Sequence, residues 1–306
     1  MTMTDTERPA ITPAFQHVSA VRKAKNLTAT VLVWLSFLIA VVPLVWVLYT
    51  VIEAGITRIP YTNWWSQDFG DVLSDEVGGG VLHGIIGTLL QGLLCAVIAV
   101  PLGILVAIYL VEYGRGTKLA RVTTFMVDIL SGVPSIVAAL FIYALWITTF
   151  GFPRSGFAVS LALVLLMVPV VVRSTEEMLR IVPDDLREAS YALGVPKWKT
   201  IMKVVLPTAL SGIVSGVMMA LARVMGETAP LLVLVGYSGY VNWNMFSGEM
   251  AALPLVMNNE RVSNPIGEGT VGFDRIWGAA LTLVLIIALI NLAATVIAKL
   301  VAPKTK

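Results

Sequence analysis

A single arginine, Arg223, stands in a stretch from 204 to 226 that holds no other charged residue. It follows Pro207 by 16 residues, which on a continuous helix is about 24 Å along the axis. An arginine that deep in an apolar span costs about 2.5–3.5 kcal/mol on insertion scales, so it should face a bundle interior or a wet cavity and have a partner. Glu227, four residues on, shares the same helix face and can supply one. Two chemistries fit this pair. The two charges can satisfy one another and pin two helices together. Alternatively, the guanidinium fork can meet an anion crossing the membrane, while Glu227 orients it and keeps its affinity moderate. Gly226 lets the backbone bend between them, and Pro230 soon interrupts regular hydrogen bonding.

Other groups could add neutral hydrogen bonds near such a path: Ser131, Ser135 and Thr228. Pro134 frees a carbonyl one turn back and Gly132 permits close approach, and small-residue packing explains such positions more often than a ligand contact does. Asp128 is expected at the cytoplasmic mouth, His83 at the outer interface, and Met218 and Met219 as apolar filler. Two histidines, His17 and His83, are too few and too far apart for a metal cluster, and Cys95 alone allows no internal disulfide. The chain contains no G-x-x-x-x-G-K-[ST] run, so it is not expected to bind ATP through a P-loop or to be an enzyme by itself.

The elements that must hold these residues are membrane helices. Of the 306 residues 57% are hydrophobic and only 13% charged, against roughly 25% charged in soluble domains. Mean hydropathy is +0.85. A net charge of +2 gives no reason to expect nucleic acid. A spanning helix takes about 20 apolar residues, and six segments supply one: 30–52, 85–110, 129–150, 157–172, 206–225 and 276–300. Sixteen of the lysines and arginines fall in residues 1–28, the 111–128 loop, the 173–203 loop and the C-terminal end, against four in the intervening loops. That asymmetry puts both termini in the cytoplasm and the 53–81 and 236–275 loops outside. Trp64, Trp65, Tyr237, Tyr240, Trp243 and Phe246 in the outer loops read as interfacial anchors, or as a docking surface for an external partner. Residues 1–28 read as a flexible cytoplasmic segment, and 29–306 as one six-helix domain.

The cytoplasmic loop at about 176–207 carries its own signature. Pro183 with Asp184 and Asp185 marks a helix start. Leu186, Ala189, Ala192 and Leu193 recur at helical spacing. Gly194 ends that helix, Pro196 blocks its continuation, and Trp198, Ile201 and Met202 open a second amphipathic piece. Within it, Glu188-Ala189-Ser190, then Gly194, then Leu206-Pro207 resemble the EAA loop of ABC-importer permeases. The pattern there is E-A-A, three residues, G, nine residues, I-x-L-P. Ser190 replaces the second alanine and Val204 the isoleucine, both with size retained. The resemblance implies that this loop is the coupling helix seated in a cleft of an ATP-hydrolysing subunit. An amphipathic helix lying on the membrane surface without a partner is the plainer alternative.

Three further stretches narrow the resemblance: 78–114, Ser131–Phe141 (SGVPSIVAALF) and Ala222–Leu232 (ARVMGETAPLL). Together they resemble the PstA-type permeases of high-affinity phosphate importers, over most of residues 78–300. The resemblance implies an all-α, MetI-like type I permease forming half of a pore with a PstC-type sister. It also implies a PstB-type ATPase dimer carrying ATP and Mg, a PstS-type extracytoplasmic phosphate-binding protein, and surrounding membrane lipid. The required arginine and glutamate of that family fall on Arg223 and Glu227, with Thr228 and Ser135 as further candidates. A permease for another oxyanion or solute, such as sulfate or molybdate, is the near alternative. A stand-alone secondary transporter is the distant one, and no internal repeat favours it.

Overall fold

The computed structural model describes residues 19–70, 72, 76–263 and 270–301, and among these every regular element is helical. In chain order they are α1 (Ala20–Gly55), α2 (Thr62–Ser66), α3 (Leu82–Ile108), α4 (Lys118–Ser131), α5 (Ser135–Ile142), α6 (Gly156–Ile181), α7 (Asp184–Ala192), α8 (Lys197–Thr200), α9 (Leu206–Met225), α10 (Ala229–Leu234), α11 (Leu253–Ser263) and α12 (Val271–Val301). Wider π-helical turns extend three runs: Tyr109–Tyr113 after α3, Tyr143–Thr149 after α5 and Ile201–Val205 between α8 and α9. The chain divides into two compact units, 1–50 and 51–306. The first holds most of α1, whose apolar side chains are exposed. The flexible segment expected over 1–28 lies outside the described residues up to 18, and the chain is helical from Ala20.

In the second unit α3 packs along α6, and α6 packs on α9. Cys95, Ala99, Ala162, Met167, Val171 and Val224 meet in this seam with almost no exposure. Small residues allow it, as is usual where membrane helices approach closely. A Cβ on Gly103 would stand 2.7 Å from Val171 Cγ1, and one on Gly87 would stand 1.7 Å from the Ala251 carbonyl oxygen. α11 and α12 pack on one another, and α12 also packs on α9.

Five helical runs are long and apolar enough to cross a membrane: Ala20–Gly55, Leu82–Tyr113, Gly156–Ile181, Lys197–Met225 and Val271–Leu300. A sixth results if Lys118–Ser131 and Ser135–Thr149 count as one span, although they are bent by 106°. The span expected over 129–150 is therefore broken at Gly132-Val133-Pro134. Proline has no N–H to continue α4, and its extended backbone (φ −61°, ψ 141°) starts α5 in a new direction. The span expected over 157–172 is longer than its apolar stretch. α6 continues to Ile181 because Glu176 bridges Arg173 at 2.8 Å and Arg180 at 2.6 Å, both at helical spacing. Residues 176–181, expected within the loop at about 176–207, are therefore the last part of α6. Before Pro207 the helix widens into its π-helical turn, which accommodates the missing N–H without ending the run.

The 53–81 and 236–275 loops hold more structure than their composition suggested. Residues 253–263, expected in a loop, form α11 and bury Leu253, Leu255 and Val256. Trp64 is not an interfacial anchor: it is 1% exposed, packs with Phe69 and Leu253, and donates from Nε1 to Thr282 Oγ1 at 3.0 Å. Tyr240, Trp243 and Phe246 are exposed, as rings at an interface would be.

Candidate functional site

The segment between α6 and α9 folds as its residues indicate. α7 starts after Pro183 with Asp184 and Asp185 in its first turn, and Gly194 closes it at φ +76°, a left-handed conformation open to glycine. Glu188, Ala189, Ala192, Leu193 and Gly194 are all exposed, Leu193 at 83%. Leu186, Tyr191, Trp198 and Met202 are exposed beside them. The apolar stripe therefore faces away from this chain. Leu206 and Pro207 are half-buried where the segment enters α9.

What seats α7 is polar. Arg187 is buried and donates from Nε and Nη2 to Glu112 Oε1 at 3.1 and 2.9 Å. Its remaining N–H groups reach Val182 O at 2.7 Å, Leu179 O at 2.9 Å and Asp184 Oδ1 at 3.1 Å. Lys197 Nζ donates to the Glu112 carbonyl. Ser190, the departure from the loop pattern, is buried and shares a 2.8 Å hydrogen bond with Thr200 Oγ1. These contacts tie α7 and α8 to each other and to the C-terminal end of the α3 run. Sequence spacing could not reveal Glu112, which lies 75 residues from Arg187.

Arg223 and Glu227 do not pair. α9 ends at Met225, Gly226 caps it with its N–H on the Arg223 carbonyl at 3.2 Å, and Glu227 lies beyond the helix. The shared helical face that pairing needs is lost at that break. Arg223 is exposed in the last turn of α9, and its guanidinium has no hydrogen-bond or ion-pair partner among the described residues. The negative end of the helix dipole stands in for a carboxylate there. Glu227 is half-buried and lines a small cleft with Thr88, Gln91, Leu163, Val224 and Leu231. Thr228 precedes α10 and caps nothing with its side chain. Ser135 is half-buried at the start of α5. α5 and α10 pack on each other and on α6, so the candidate residues cluster around two helix breaks, at 132–134 and 226–228.

Three further titratable groups have defined surroundings. Asp128 is exposed and paired with Arg173, joining α4 to α6. His83 is buried rather than interfacial, 5.1 Å from the Phe69 ring and within 3.4 Å of Tyr237 Oη. Burial, and then the Glu260 carboxylate, push the Tyr237 phenol up to about 12. Met219 is exposed and Met218 half-buried, as filler would be. No group of three or more His, Cys, Asp or Glu that could hold a metal occurs among the described residues.

Residues 99–306 match the family model described as binding-protein-dependent transport system inner membrane component. The phosphate transport system permease protein PstA 1 of Mycobacterium tuberculosis is 55% identical over 291 residues, covering 95% of this chain and 94% of that one. The PstA protein of Yersinia pestis is 39% identical over 276 residues, covering 90% of each chain. Among solved structures, an inward-facing form of the MetNI methionine ABC transporter has a TM-score of 0.56 at 23% identity, covering 73% of this chain and 95% of that one. A bacterial alginate ABC transporter with its substrate-bound periplasmic protein has a TM-score of 0.60 at 12% identity, covering 94% and 98%. The structural likenesses show the fold alone, an all-α arrangement shared with those chains. By its matched residues and its relatives, the chain belongs to the binding-protein-dependent transport inner-membrane component family, among its PstA phosphate transport permeases.

Proposed function

We propose that this chain is the permease subunit of an ATP-driven phosphate importer, a non-catalytic half-pore in the bacterial plasma membrane with both termini in the cytoplasm. Identity of 55% over 95% of the chain to a phosphate permease carries the substrate class. The observation that carries the coupling role is the exposed apolar face of α7 on a buried polar base. An apolar knob fixed by Arg187 and Glu112 suits a groove on another protein far better than it suits water. That partner is a PstB-type ATPase dimer, which would hold ATP and Mg. The rest of the assembly is a PstC-type sister permease and a PstS-type binding protein that delivers phosphate from outside.

In this reading nucleotide-driven closure of the ATPases moves α7, and its polar base passes the motion to the α3 run. The two permeases then rock between inward- and outward-open forms. Arg223 offers its planar fork to the anion in the wet space between the permeases, where a guanidinium without a protein partner is available. Glu227 limits how tightly the ion is held. Ser135 and Thr228, at the two helix breaks, add neutral hydrogen bonds.

Phosphate uptake by the reconstituted four-component complex tests this. Arg223→Met should assemble normally, since Arg223 is exposed and unpaired, yet lose uptake. Arg223→Lys should recover only part of it, because lysine keeps the charge but not the fork. Near-normal uptake by Arg223→Met would remove Arg223 from the path, and stimulation by sulfate instead of phosphate would reassign the substrate.

A further inference from the structure

Gln91 lies in the middle of α3 and is 2% exposed, yet its Nε2 has no hydrogen-bond partner among the described residues. Buried amides are almost always satisfied, so an orphaned one calls for an acceptor in some state of the protein. The cleft it shares with Glu227 is otherwise walled by aliphatic groups, by Met225 and by Thr88. The Thr88 hydroxyl is already engaged: it donates to Gly84 O at 2.7 Å and accepts from the Leu253 N–H at 2.8 Å. Glu227 supplies the sole carboxylate in the lining, and that carboxylate also has no partner among the described residues. An amide with unused donors and a carboxylate with unused lone pairs thus border one small space.

The cleft lies at the break between α9 and α10, and Glu227 stands in that break, outside both helices. We propose that Gln91 is a positioning residue for translocation: its side-chain Nε2–H donates a hydrogen bond to the Glu227 carboxylate and holds it off the anion's route while Arg223 is engaged. A carboxylate left beside an oxyanion would repel it in a poorly polarisable site. A carboxylate that returned to Arg223 would compete for the same fork. Parking it on a neutral donor avoids both without burying a second positive charge. This inference rests on the phosphate-permease reading and adds a residue on α3 to it.

The test is a double-mutant cycle on the complete complex in proteoliposomes, scored as phosphate uptake per complex in the membrane. Gln91→Leu removes the donor and fills the same space with apolar atoms. Losing a hydrogen bond to a charged acceptor should lower uptake about ten- to hundredfold. In a Glu227→Gln background the same substitution should cost less than about twofold, because the carboxylate it acts on is gone. A merely structural role for Gln91 gives equal losses in both backgrounds, and that result overturns the inference, as does near-normal uptake by Gln91→Leu. A wild-type complex that takes up no phosphate overturns the phosphate reading and the inference with it. Full uptake by Arg223→Met removes Arg223 from the path and overturns the inference too, while leaving the phosphate reading in place.

Discussion

Replacing Arg187 with methionine keeps an unbranched apolar stem and removes the cation that seats α7. The Glu112 carboxylate, 4% exposed, then stays buried without its partner. Removing one member of a buried ion pair costs about 3–5 kcal/mol. Lys197, which reaches the Glu112 carbonyl, stands close enough to offset part of this, so the lower end, about 3 kcal/mol, is the better estimate. That corresponds to on the order of a hundredfold in the balance between seated and unseated α7. The helix bundle should survive, since the α3–α6–α9 seam does not involve Arg187. The assay is the ratio of ATP hydrolysed to phosphate delivered in proteoliposomes. Arg187→Met should raise that ratio at least tenfold while hydrolysis continues. Adding Glu112→Leu should bring the ratio most of the way back, because an apolar pair of similar volume can replace a buried ion pair. A wild-type ratio in Arg187→Met, or a double variant no better than the single one, would refute the argument that this pair couples α7 to the pore.

Two further outcomes follow from other parts of the fold. A membrane-impermeant thiol reagent should label Trp243→Cys in intact cells, and Leu193→Cys only after permeabilisation; the reverse pattern would invert the topology and end the coupling role. Gly87→Val should sharply reduce the amount of complex in the membrane, because its Cβ would fall 1.7 Å from a backbone carbonyl. Gly132→Ala should leave that amount unchanged, since the nearest atom to its Cβ would be 3.6 Å away; equal yields from both would show that the α3 contact at 251 is not tight.

The family was legible in short, contiguous patterns. Apolar runs of spanning length gave the membrane class, because a helix in lipid must satisfy its own backbone and cover it with apolar side chains. The Pro183, Gly194 and Pro196 punctuation gave α7 and its end, because proline and glycine act on the backbone locally, whatever packs around them. Arg223 was visible as a lone charge in an apolar run for the same local reason.

Tertiary structure decided what pairs with what. Four-residue spacing joined Arg223 to Glu227 on paper, but the helix stops between them at Gly226, and spacing means nothing across a break. Trp64 looked like an interfacial ring and is instead a core residue bonded to Thr282, 218 positions away. Glu112 and Gln91 carried no signal at all. Each is an unremarkable polar residue near or within an apolar helix until the fold brings Arg187 to the first and Glu227 to the same cleft as the second. Sequence determines the elements, because their causes lie within a few residues of one another. Which charges are satisfied, and by whom, depends on contacts between residues far apart in the chain, and packing alone supplies those.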